Sequence, residues 1–456
     1  MEHAHSSSHL VRRGRAITVT IRFSLELRER SMSRLQVGVI GLCSALNVLD
    51  GFDLQSVSFV APILTREWHL SAATLGILFS LGLAGIAVGA PLLAIVADLR
   101  GRRSTILICL ALISASVLAS SAASTFFELA LLRVSTGIGI GGMLASINTL
   151  AAEFASDRRR DLSVSITQAG FPIGGTLGGI LAVYLVGHFD WRAVFLAFGA
   201  LTAGMLPIVH FLMPESIDYL AARQPPNALQ RINRTRQQLN LQPLTALGAR
   251  QRLAKHSALG SLVRAPFRPS TILICLGFFV VPLSFYFLLS WMPKLLVDLG
   301  FSLKGGISSA VFMNLGGIVG GIGYGFAAAL YGRQRVAVTA MVLAFAAALL
   351  FGFLPLTLSA VLIGSSIVGV FIFAAFTSLY ALVPNLYPAE VRASGTGLAM
   401  GVGRVGALLG PYIGGVLIAA GMSTHLFLAV MTLPFLAGAL IISRLPRAEY
   451  SPPRAD

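Results

Sequence analysis

Runs of about 20 apolar residues recur along this chain, and they constrain its fold more than any other feature. An α-helix rises 1.5 Å per residue, so one such run is long enough to cross a hydrocarbon core of roughly 30 Å. Hydrophobic residues make up 55% of the 456 positions and charged residues 11%, proportions that exclude ordinary soluble packing. The runs cover residues 36–63, 75–97, 104–123, 128–152, 163–187, 191–212, 270–293, 308–331, 336–354, 358–383, 394–420 and 423–443. We therefore expect an all-α membrane protein with twelve transmembrane helices.

Arginine-rich connections alternate with charge-poor ones along the chain. Cytoplasmic loops of membrane proteins carry an excess of Lys and Arg, so this alternation predicts the orientation. We expect both termini in the cytoplasm, and we attribute the net charge of +16 to topology rather than to a nucleic-acid partner. The arginines expected on the cytoplasmic side are Arg100, Arg102, Arg103, Arg158, Arg159, Arg160, Arg333, Arg335, Arg392, Arg444 and Arg447.

One long connection, about 213–269, divides the spans six and six. Its Arg, Gln, Asn and Pro content suits short amphipathic helices on the inner leaflet. Short motifs of the first half recur in the second half. Gly101-Arg102-Arg103 has a similar segment in Gly332-Arg333-Gln334-Arg335, and Gly178-Gly179 has one in Gly414-Gly415. Two parallel repeats with a site between them at the midplane are typical of secondary transporters. The expected organisation is a disordered basic tail (1–33), a six-helix bundle (34–212), the basic linker (213–269), a second bundle (270–445) and a short cytoplasmic tail (446–456).

The polar N-terminal tail carries His3, His5 and His9. We interpret it as disordered, as a vector-derived remnant or as an upstream start with Met32 as the true one, in preference to a metal site. It lacks the apolar core and cleavage site of a signal peptide.

Cysteine usage and catalytic groups point away from redox and enzyme chemistry. Cys43, Cys109 and Cys275 all lie inside apolar runs, where they fit as small packing residues. No set of nucleophile, base and orienting group can be assembled from the motifs. We expect no metal, no cofactor and no enzymatic activity.

Two carboxylates, Asp50 and Asp53, interrupt the first span. Each costs roughly 2.5–3.5 kcal/mol at the middle of a membrane helix, so their presence asks for a function. Asn47, Asp50 and Asp53 share one helix face at spacing i, i+3, i+6, which should look into protein or water. Ionisable groups in such a place mark a substrate or proton path. We expect the two carboxylates to couple transport to protons, with Asn47 orienting them.

Two arginines are predicted near the bilayer midplane. Arg133 and Arg404 both lie about 12–15 Å deep at 1.5 Å per residue. Arg404 is a candidate ligand for a substrate carboxylate and Arg133 a candidate partner of Asp50 or Asp53. The alternative is that each arginine satisfies helix-end carbonyls or a neighbouring Asp. When the two Gly-Gly pairs are aligned, Gln168 occupies the position equivalent to Arg404 and is expected to help bind an asymmetric anion.

Several aromatic side chains could stack on an aromatic substrate. Tyr286, Trp291 and Tyr380 are the leading candidates because their polar atoms need partners. Packing against lipid or core is the alternative for each.

The segment Asp98-Leu99-Arg100-Gly101-Arg102-Arg103 resembles the signature loop of the major facilitator superfamily. Leu49-Asp50-Gly51-Phe52-Asp53, with Ala61-Pro62 closing the span, resembles the aromatic acid:proton symporter branch, which includes 4-hydroxybenzoate, protocatechuate and benzoate permeases. The resemblance covers about 36–445. Two positions depart from the pattern, since Ala94 stands where the signature has Gly and Ala329 stands where the second-half copy would have Asp.

The resemblance implies a gating role for Asp98, Arg100, Gly101, Arg102 and Arg103. In the family the Asp of this loop pairs across the two halves, and breaking that pair releases the rocking motion. The alternative for the arginines is a role in topology alone. Glu153 is expected to pair with the Arg158–Arg160 cluster rather than to bind a proton.

The residues and the resemblance together thus predict proton-coupled uptake of an aromatic carboxylic acid across a bacterial inner membrane by alternating access, and the resemblance implies that the protein acts as a monomer. Alternatives are a symporter of a non-aromatic organic anion or sugar acid, a drug exporter, and a transporter-like sensor that binds without transport.

Overall fold

The computed structural model describes residues 32–156, 160–247, 262, 264, 266–353, 357–383, 386–387 and 389–446. The remaining residues include the N-terminal tail, Arg158, Arg159 and Arg447. Every regular element in the described part of the chain is a helix, and twelve of the helices are long and apolar enough to cross a membrane. The predicted all-α fold with twelve transmembrane helices is confirmed.

The spanning helices are numbered here in chain order. They are α1 (Arg34–Glu67), α2 (Ala72–Arg100), α3 (Arg102–Ser120), α4 (Phe126–Phe154), α5 (Arg160–His188), α6 (Arg192–Leu212), α7 (Arg268–Asp298), α8 (Leu303–Tyr331), α9 (Arg333–Phe351), α10 (Leu358–Leu382), α11 (Ala389–Ala419) and α12 (Thr424–Ser443).

Many of these helices extend beyond the apolar runs that predicted them. Helix α1 begins at a capping box, in which the Ser33 backbone N–H donates to Gln36 and the Gln36 backbone N–H donates to the Ser33 hydroxyl. It then continues to Glu67, past the end of its apolar run. Apolar composition marks the membrane interior, whereas caps and polar ends in the interface set where a helix stops.

Both described ends of the bundle lie on the same side of the membrane, since an even number of spans joins them. We call this side, where α1 begins and α12 ends, the termini face, and the other side the opposite face. The linker lies at the termini face and holds two short helices, Ile217–Arg223 and Ala228–Gln238.

The apolar side chains of the linker form a small core of their own, which also packs against Leu35 of α1. This core covers an apolar face that the sequence placed on the lipid leaflet. We therefore still predict contact with lipid headgroups for the basic side chains of the linker, but not for its apolar side chains. The core residues are Ile217, Tyr219, Leu220, Ile232, Leu239 and Leu241.

Glycine contacts relate the two halves residue by residue. In the first half Gly170 and Gly174 of α5 press against backbone oxygens of α1, leaving no room for a Cβ. Gly406 and Gly410 of α11 press in the same way against α7, at an offset of 236 (406 − 170). The oxygens they meet are those of Ser44, Val48, Phe279 and Leu283, at an offset of 235 (279 − 44).

A second glycine pattern relates α2 with α4 to α8 with α10. Gly85 of α2 meets the backbone oxygen of Val134, and Gly316 of α8 meets that of Ser366. The offsets are 231 (316 − 85) and 232 (366 − 134). The first equals the spacing of Gly101 and Gly332, which both have positive φ, at +98° and +90°, a conformation that favours glycine.

These offsets give each polar residue of the first half a counterpart. Gln168 corresponds to Arg404 (168 + 236), and Asp50 corresponds to Phe285 (50 + 235). By the same arithmetic Asp53 corresponds to Leu288 and Arg133 to Ser365. The two halves therefore have the same backbone arrangement but different side chains at matched positions, since Asp50 and Asp53 of the first half correspond to apolar residues in the second.

The halves meet toward the opposite face. Gly76 of α2 packs directly against Gly415 and the Pro411 oxygen of α11. Two amides cross the same boundary, because the Asn314 side chain donates to Gln55 Oε1 at 2.8 Å and Gln55 approaches Asn314 Oδ1 at 3.4 Å. The opposite face is closed by these contacts.

The space between the halves opens toward the termini face. Gly397 and Gly401 share the helix face of Pro411 and Gly415, yet among the described residues a Cβ at either glycine would meet no atom within 4 Å. Gly325, eleven residues beyond Asn314 on α8, also faces open space. The structure is thus closed on one side of the membrane and open on the other.

Candidate functional site

The acidic face of α1 is buried in the centre of the molecule. Asn47, Asp50 and Asp53 are each 1% exposed, as the i, i+3, i+6 spacing predicts for a face turned toward protein. Gly51 allows this burial, because its backbone lies against Phe171 and Gly174 of α5 with no room for a side chain. The cost of placing two carboxylates here has to be offset by the groups around them.

Asp53 has one bonded carboxylate oxygen. Thr202 of α6 donates to its Oδ2 at 3.3 Å, while Oδ1 has no hydrogen-bond partner among the described residues. The charge of Arg133 lies close enough to interact with the carboxylate. Of the two candidate acids, Asp53 is the one that interacts electrostatically with Arg133.

Arg133 is held by oxygens rather than by a direct ion pair. Its guanidinium donates to the Asp53 backbone oxygen at 3.3 Å, to Ser56 at 3.2 Å and to Ser120 at 3.0 Å. The group also lies 5.1 Å from the ring centre of Phe195, a cation–π distance. Four helices thus position a single cation beside Asp53.

No pattern in the sequence identifies Thr202, Ser56, Ser120 or Phe195 as partners in this network. Each is a single hydroxyl or ring in an apolar span, a pattern that is common and carries no signature. Helix spacing would reveal Ser56, which lies three residues after Asp53 and donates to its backbone oxygen at 2.7 Å.

Arg404 lies across the boundary between the halves from Asp50. The two charges are close enough to interact, and the Tyr286 and Tyr380 side chains are also beside Arg404. Both oxygens of Asp50 lack hydrogen-bond partners within the described part of the chain. Arg404 is half-buried and on the helix face that meets the other half, so an anion entering from the termini face can reach it.

Aromatic rings line the second half next to Arg404. Phe285 stacks on Phe376 at 4.3 Å and 15° and meets Phe373 edge-on at 4.9 Å. Phe376 lies 6.0 Å from the ring of Tyr286 and 5.3 Å from that of Tyr380. An apolar, aromatic wall therefore stands beside the guanidinium.

Gln168 faces the space between the halves. It shares one stripe of α5 with Gly175 and Gly179, at spacing i, i+7, i+11, and those glycines contact Asn314 and Val311 of the other half. The Gln168 side chain is exposed because the termini face is open. Its amide and the guanidinium of Arg404 therefore stand on opposite walls.

Trp291 lies on the closed side of the site. Its indole N–H donates to the Pro411 oxygen at 3.0 Å, and its ring meets Phe79 of α2 edge-on at 5.3 Å. These contacts favour a part in closing the opposite face over the direct substrate contact that the sequence suggested.

A small cavity lies beside Asp53 and Arg133 and reaches Tyr286 and Ser290 of α7. Its volume is about 20 Å³, enough for one ordered water, which needs roughly 10–15 Å³. The cavity joins the acidic network of the first half to the second half.

The predicted gating loop is bound to the linker. The Arg103 backbone N–H donates to Glu215 at 3.0 Å, and Arg223 donates to the Asp98 backbone oxygen at 2.9 Å. The Glu215 carboxylate also fills the place where a side chain on Gly101 would lie. The loop is therefore held by the segment that follows α6.

Asp98 pairs within its own loop in this conformation. Arg102 lies 3.6 Å from Asp98 and 3.5 Å from Glu153, while Arg100 is exposed at the end of α2. The expected pairing of Asp98 across the halves is not seen among the described residues, because the halves are apart at the termini face. The side chains of Arg158–Arg160, predicted to pair with Glu153, lie outside the described residues, and Arg102 is the partner that the structure describes.

Comparison with known proteins identifies related chains over most of the sequence. The sequence model of the Major Facilitator Superfamily matches residues 43–411 and 324–456. A gallate transporter from Pseudomonas putida is 33% identical over 414 residues, covering 91% of this chain and 92% of that protein. A 4-hydroxybenzoate transporter from the same organism is 27% identical, covering 90% and 92%. The crystal structure of a D-xylose-proton symporter superposes with a TM-score of 0.70 at 15% identity, covering 90% and 98%, which shows the shared fold.

Proposed function

Because the chain belongs to the Major Facilitator Superfamily, we propose that it carries an aromatic carboxylic acid and protons together across a membrane by alternating access. The observation that carries this proposal is the buried Asp50 carboxylate of the first half, whose two oxygens have no hydrogen-bond partner among the described residues and which lies within electrostatic range of Arg404 in the second half. The likeness to gallate and 4-hydroxybenzoate transporters supports the substrate class.

Arg404 provides the link between the two cargoes. While Asp50 is charged, it interacts electrostatically with Arg404, and a substrate carboxylate arriving at Arg404 competes for that interaction. The competition favours a protonated Asp50 when the anion is bound. By thermodynamic reciprocity, a protonated Asp50 also favours anion binding.

Asp53 and Arg133 form the second part of the proposed proton path. The small cavity beside them reaches α7, so a proton on Asp53 has a polar route toward the boundary between the halves. Tyr286 and Tyr380 flank the anion beside Arg404, and the Phe285 cluster offers its ring a stacking surface.

The orientation follows from charge. Basic residues at the termini face favour a cytoplasmic location for it in a bacterial inner membrane. The described conformation then opens to the cytoplasm, in the position to release substrate and proton inside.

Uptake into vesicles of reconstituted protein tests the proposal. One proton with one monoanion moves no net charge, so a pH gradient alone should drive accumulation, whereas each extra proton would couple to about 2.3 kcal/mol per 100 mV. We expect Asp50→Asn with Asp53→Asn to abolish accumulation. Asp298→Asn, at the exposed end of α7, is the matched control and should leave accumulation unchanged.

Uptake that is indifferent to the pH gradient would contradict symport. Accumulation by the doubly substituted protein that equals the unaltered one would contradict the role of the two acids. Transport of non-aromatic acids in place of aromatic ones would overturn the substrate class.

A further inference from the structure

A second cavity lies at the opposite face, outside the contacts that join the two halves there. Its lining consists of Pro62, Ile63, Arg66 and Glu67 of α1, Val297 of α7 and Leu303 of α8. Pro62 lies seven residues beyond Gln55 on α1, and Leu303 lies eleven residues before Asn314 on α8. At 1.5 Å per residue, the cavity is about 10–17 Å farther out than the Gln55–Asn314 contact. We call this cavity the outer vestibule.

The outer vestibule has the size and the lining of a small-molecule site. Its volume is about 360 Å³, within the range of roughly 300–1,000 Å³ that is usual for ligand pockets. Four of its lining residues are apolar, and they belong to both halves of the molecule. Ligand pockets are typically apolar with a few polar groups that orient the ligand, so the charged side chains decide what binds here.

The acidic side chain of the outer vestibule is held by its neighbours. Both oxygens of Glu67 are engaged, one by the Trp191 indole N–H at 2.7 Å and the other by Arg192 at 3.3 Å. Asp190 also pairs with Arg192, so these three charged side chains carry one net negative charge. Glu67 is therefore fixed against the start of α6.

Two cations exceed this negative charge. Arg66 lines the cavity and Lys304 follows the lining residue Leu303; both are exposed, and no carboxylate among the described residues is within ion-pair distance of either. Lys294 adds no net charge, because it forms an ion pair with Asp298. A guanidinium suits a carboxylate, with which it can form two parallel hydrogen bonds. The outer vestibule therefore favours an anion at Arg66.

Apolar walls and one guanidinium match a compact organic acid. We propose that the outer vestibule is a second binding site for the transported acid, with the carboxylate at Arg66 and the apolar body between α1, α7 and α8. Because its walls belong to both halves, the site is complete while the opposite face is closed, and its walls move apart when that face opens. The identity of the acid rests on the proposed function, whereas the site itself does not.

The position of the outer vestibule gives it a role in uptake. Arg66 lies thirteen residues after Asp53 on the same helix, a distance of about 20 Å along α1. An acid held at Arg66 is therefore at the mouth of the path to the central site when the opposite face opens. The outer vestibule thus collects the acid during the part of the cycle in which the central site faces the other side.

Protection of a cysteine reporter in the reconstituted full chain tests this site. Ile63→Cys, in a variant without native cysteines, places a thiol on the wall of the outer vestibule. Arg404→Leu in the same chain removes the guanidinium of the central site. We expect benzoate to slow the reaction of the thiol with N-ethylmaleimide, a neutral reagent, in a saturable manner. Arg66→Gln should raise the half-protecting benzoate concentration about fivefold, the factor that an exposed ion pair can provide.

Two further probes and two control variants define what the site recognises. Benzyl alcohol keeps the ring without the charge and acetate keeps the charge without the ring, so each should protect at least about fivefold more weakly than benzoate. Arg66→Lys retains the charge and should keep the half-protecting concentration within about threefold. Arg335→Gln, which removes an exposed arginine at the termini face, is the matched control and should leave protection unchanged.

The outcomes separate this site from the proposed function. Protection that needs the same benzoate concentration in Arg66→Gln, or equal protection by benzoate and benzyl alcohol, would overturn the anion site and leave transport standing. Absence of transport of any aromatic acid, with protection that still depends on Arg66, would overturn the proposed function alone. If Arg404→Leu fails to fold, Arg66→Gln and Arg335→Gln are compared with Arg404 present, because both substitutions lie outside the central site.

Discussion

Arg133 shows how a single buried cation can be retained inside a membrane protein. Its guanidinium has three oxygen acceptors and a ring face, and it stands beside the Asp53 carboxylate. Removing one member of a buried charge pair costs about 3–5 kcal/mol, mainly because the other member stays charged without compensation. The effect of substituting Arg133 on the free energy of unfolding should therefore depend on whether Asp53 is charged.

A double-mutant cycle measures this dependence. Arg133→Leu should lower the free energy of unfolding in detergent by about 3–5 kcal/mol. Adding Asp53→Asn should restore part of the loss, with a coupling of about 0.5–3 kcal/mol. Arg335→Leu, on an exposed arginine, is the control and should change stability little. Strictly additive effects of the two substitutions would mean that the buried charges do not interact.

At this scale the sequence predicted positions better than partners. The i, i+3, i+6 spacing correctly predicted one buried face for Asn47, Asp50 and Asp53. It could not identify Thr202 as a donor to Asp53, because their contact joins spans 149 residues apart. Isolated hydroxyls in apolar helices are common, so only the packing of α6 on α1 distinguishes this one.

At the scale of elements, two amides fasten α1 to α8. Gln55 and Asn314 are both buried, and the amide nitrogen of each side chain faces the amide oxygen of the other. Opening the opposite face must separate them, and water can then satisfy both amides. This contact therefore stabilises one conformation rather than the fold as a whole.

Gln55→Leu should shift the equilibrium toward the conformation open at the opposite face. The loss of a buried amide contact is worth about 1–2 kcal/mol, a factor of roughly 5–30 in population. A Ser290→Cys reporter in a variant without native cysteines should then react faster with a thiol reagent by about that factor.

Gln36→Leu is the matched control for this experiment. Gln36 also lies on α1 and donates a buried amide bond at 2.8 Å, but to Phe154 within the same half. Its loss should lower stability without changing the reactivity of the reporter. Equal reactivity in both variants would argue against a conformational role for the Gln55–Asn314 contact.

The helices themselves followed closely from the apolar runs, but their pairing did not. Each run of the required length gave a helix, because a backbone in lipid must satisfy its own hydrogen bonds. Which helices meet depends on glycines such as Gly85 and Gly316, whose meaning emerges only when the facing backbone is known. The covered apolar face of the linker was missed for the same reason.

For the whole molecule, closure of the opposite face depends on the contact of α2 with α11. A Cβ at Gly76 would lie 2.8 Å from the Pro411 oxygen and 3.1 Å from the Gly415 Cα. The first of these distances is shorter than real Cβ atoms show. Both atoms that the Cβ would meet belong to the backbone of α11, so the clash can be relieved only if α2 and α11 move apart. Alternating access requires the same helices to close again in every cycle.

Gly76→Ala should therefore slow counterflow at least fivefold, since overpacking of a tight contact costs about 1–3 kcal/mol. The Ser290→Cys reporter should become more reactive in the same variant. Gly41→Ala is the matched control, because a Cβ there meets nothing within 4 Å. Counterflow unchanged by Gly76→Ala would show that this contact does not limit the cycle.

The two copies of the internal repeat carry different kinds of side chain at matched positions. Asp50 has the aromatic Phe285 as its counterpart and Arg133 has the uncharged Ser365, so the same structural positions hold ionisable groups in the first half and neutral ones in the second. If the proposed function is correct, substitutions in the aromatic wall of the second half can change the fit to a planar acid while the buried acids of the first half stay as they are.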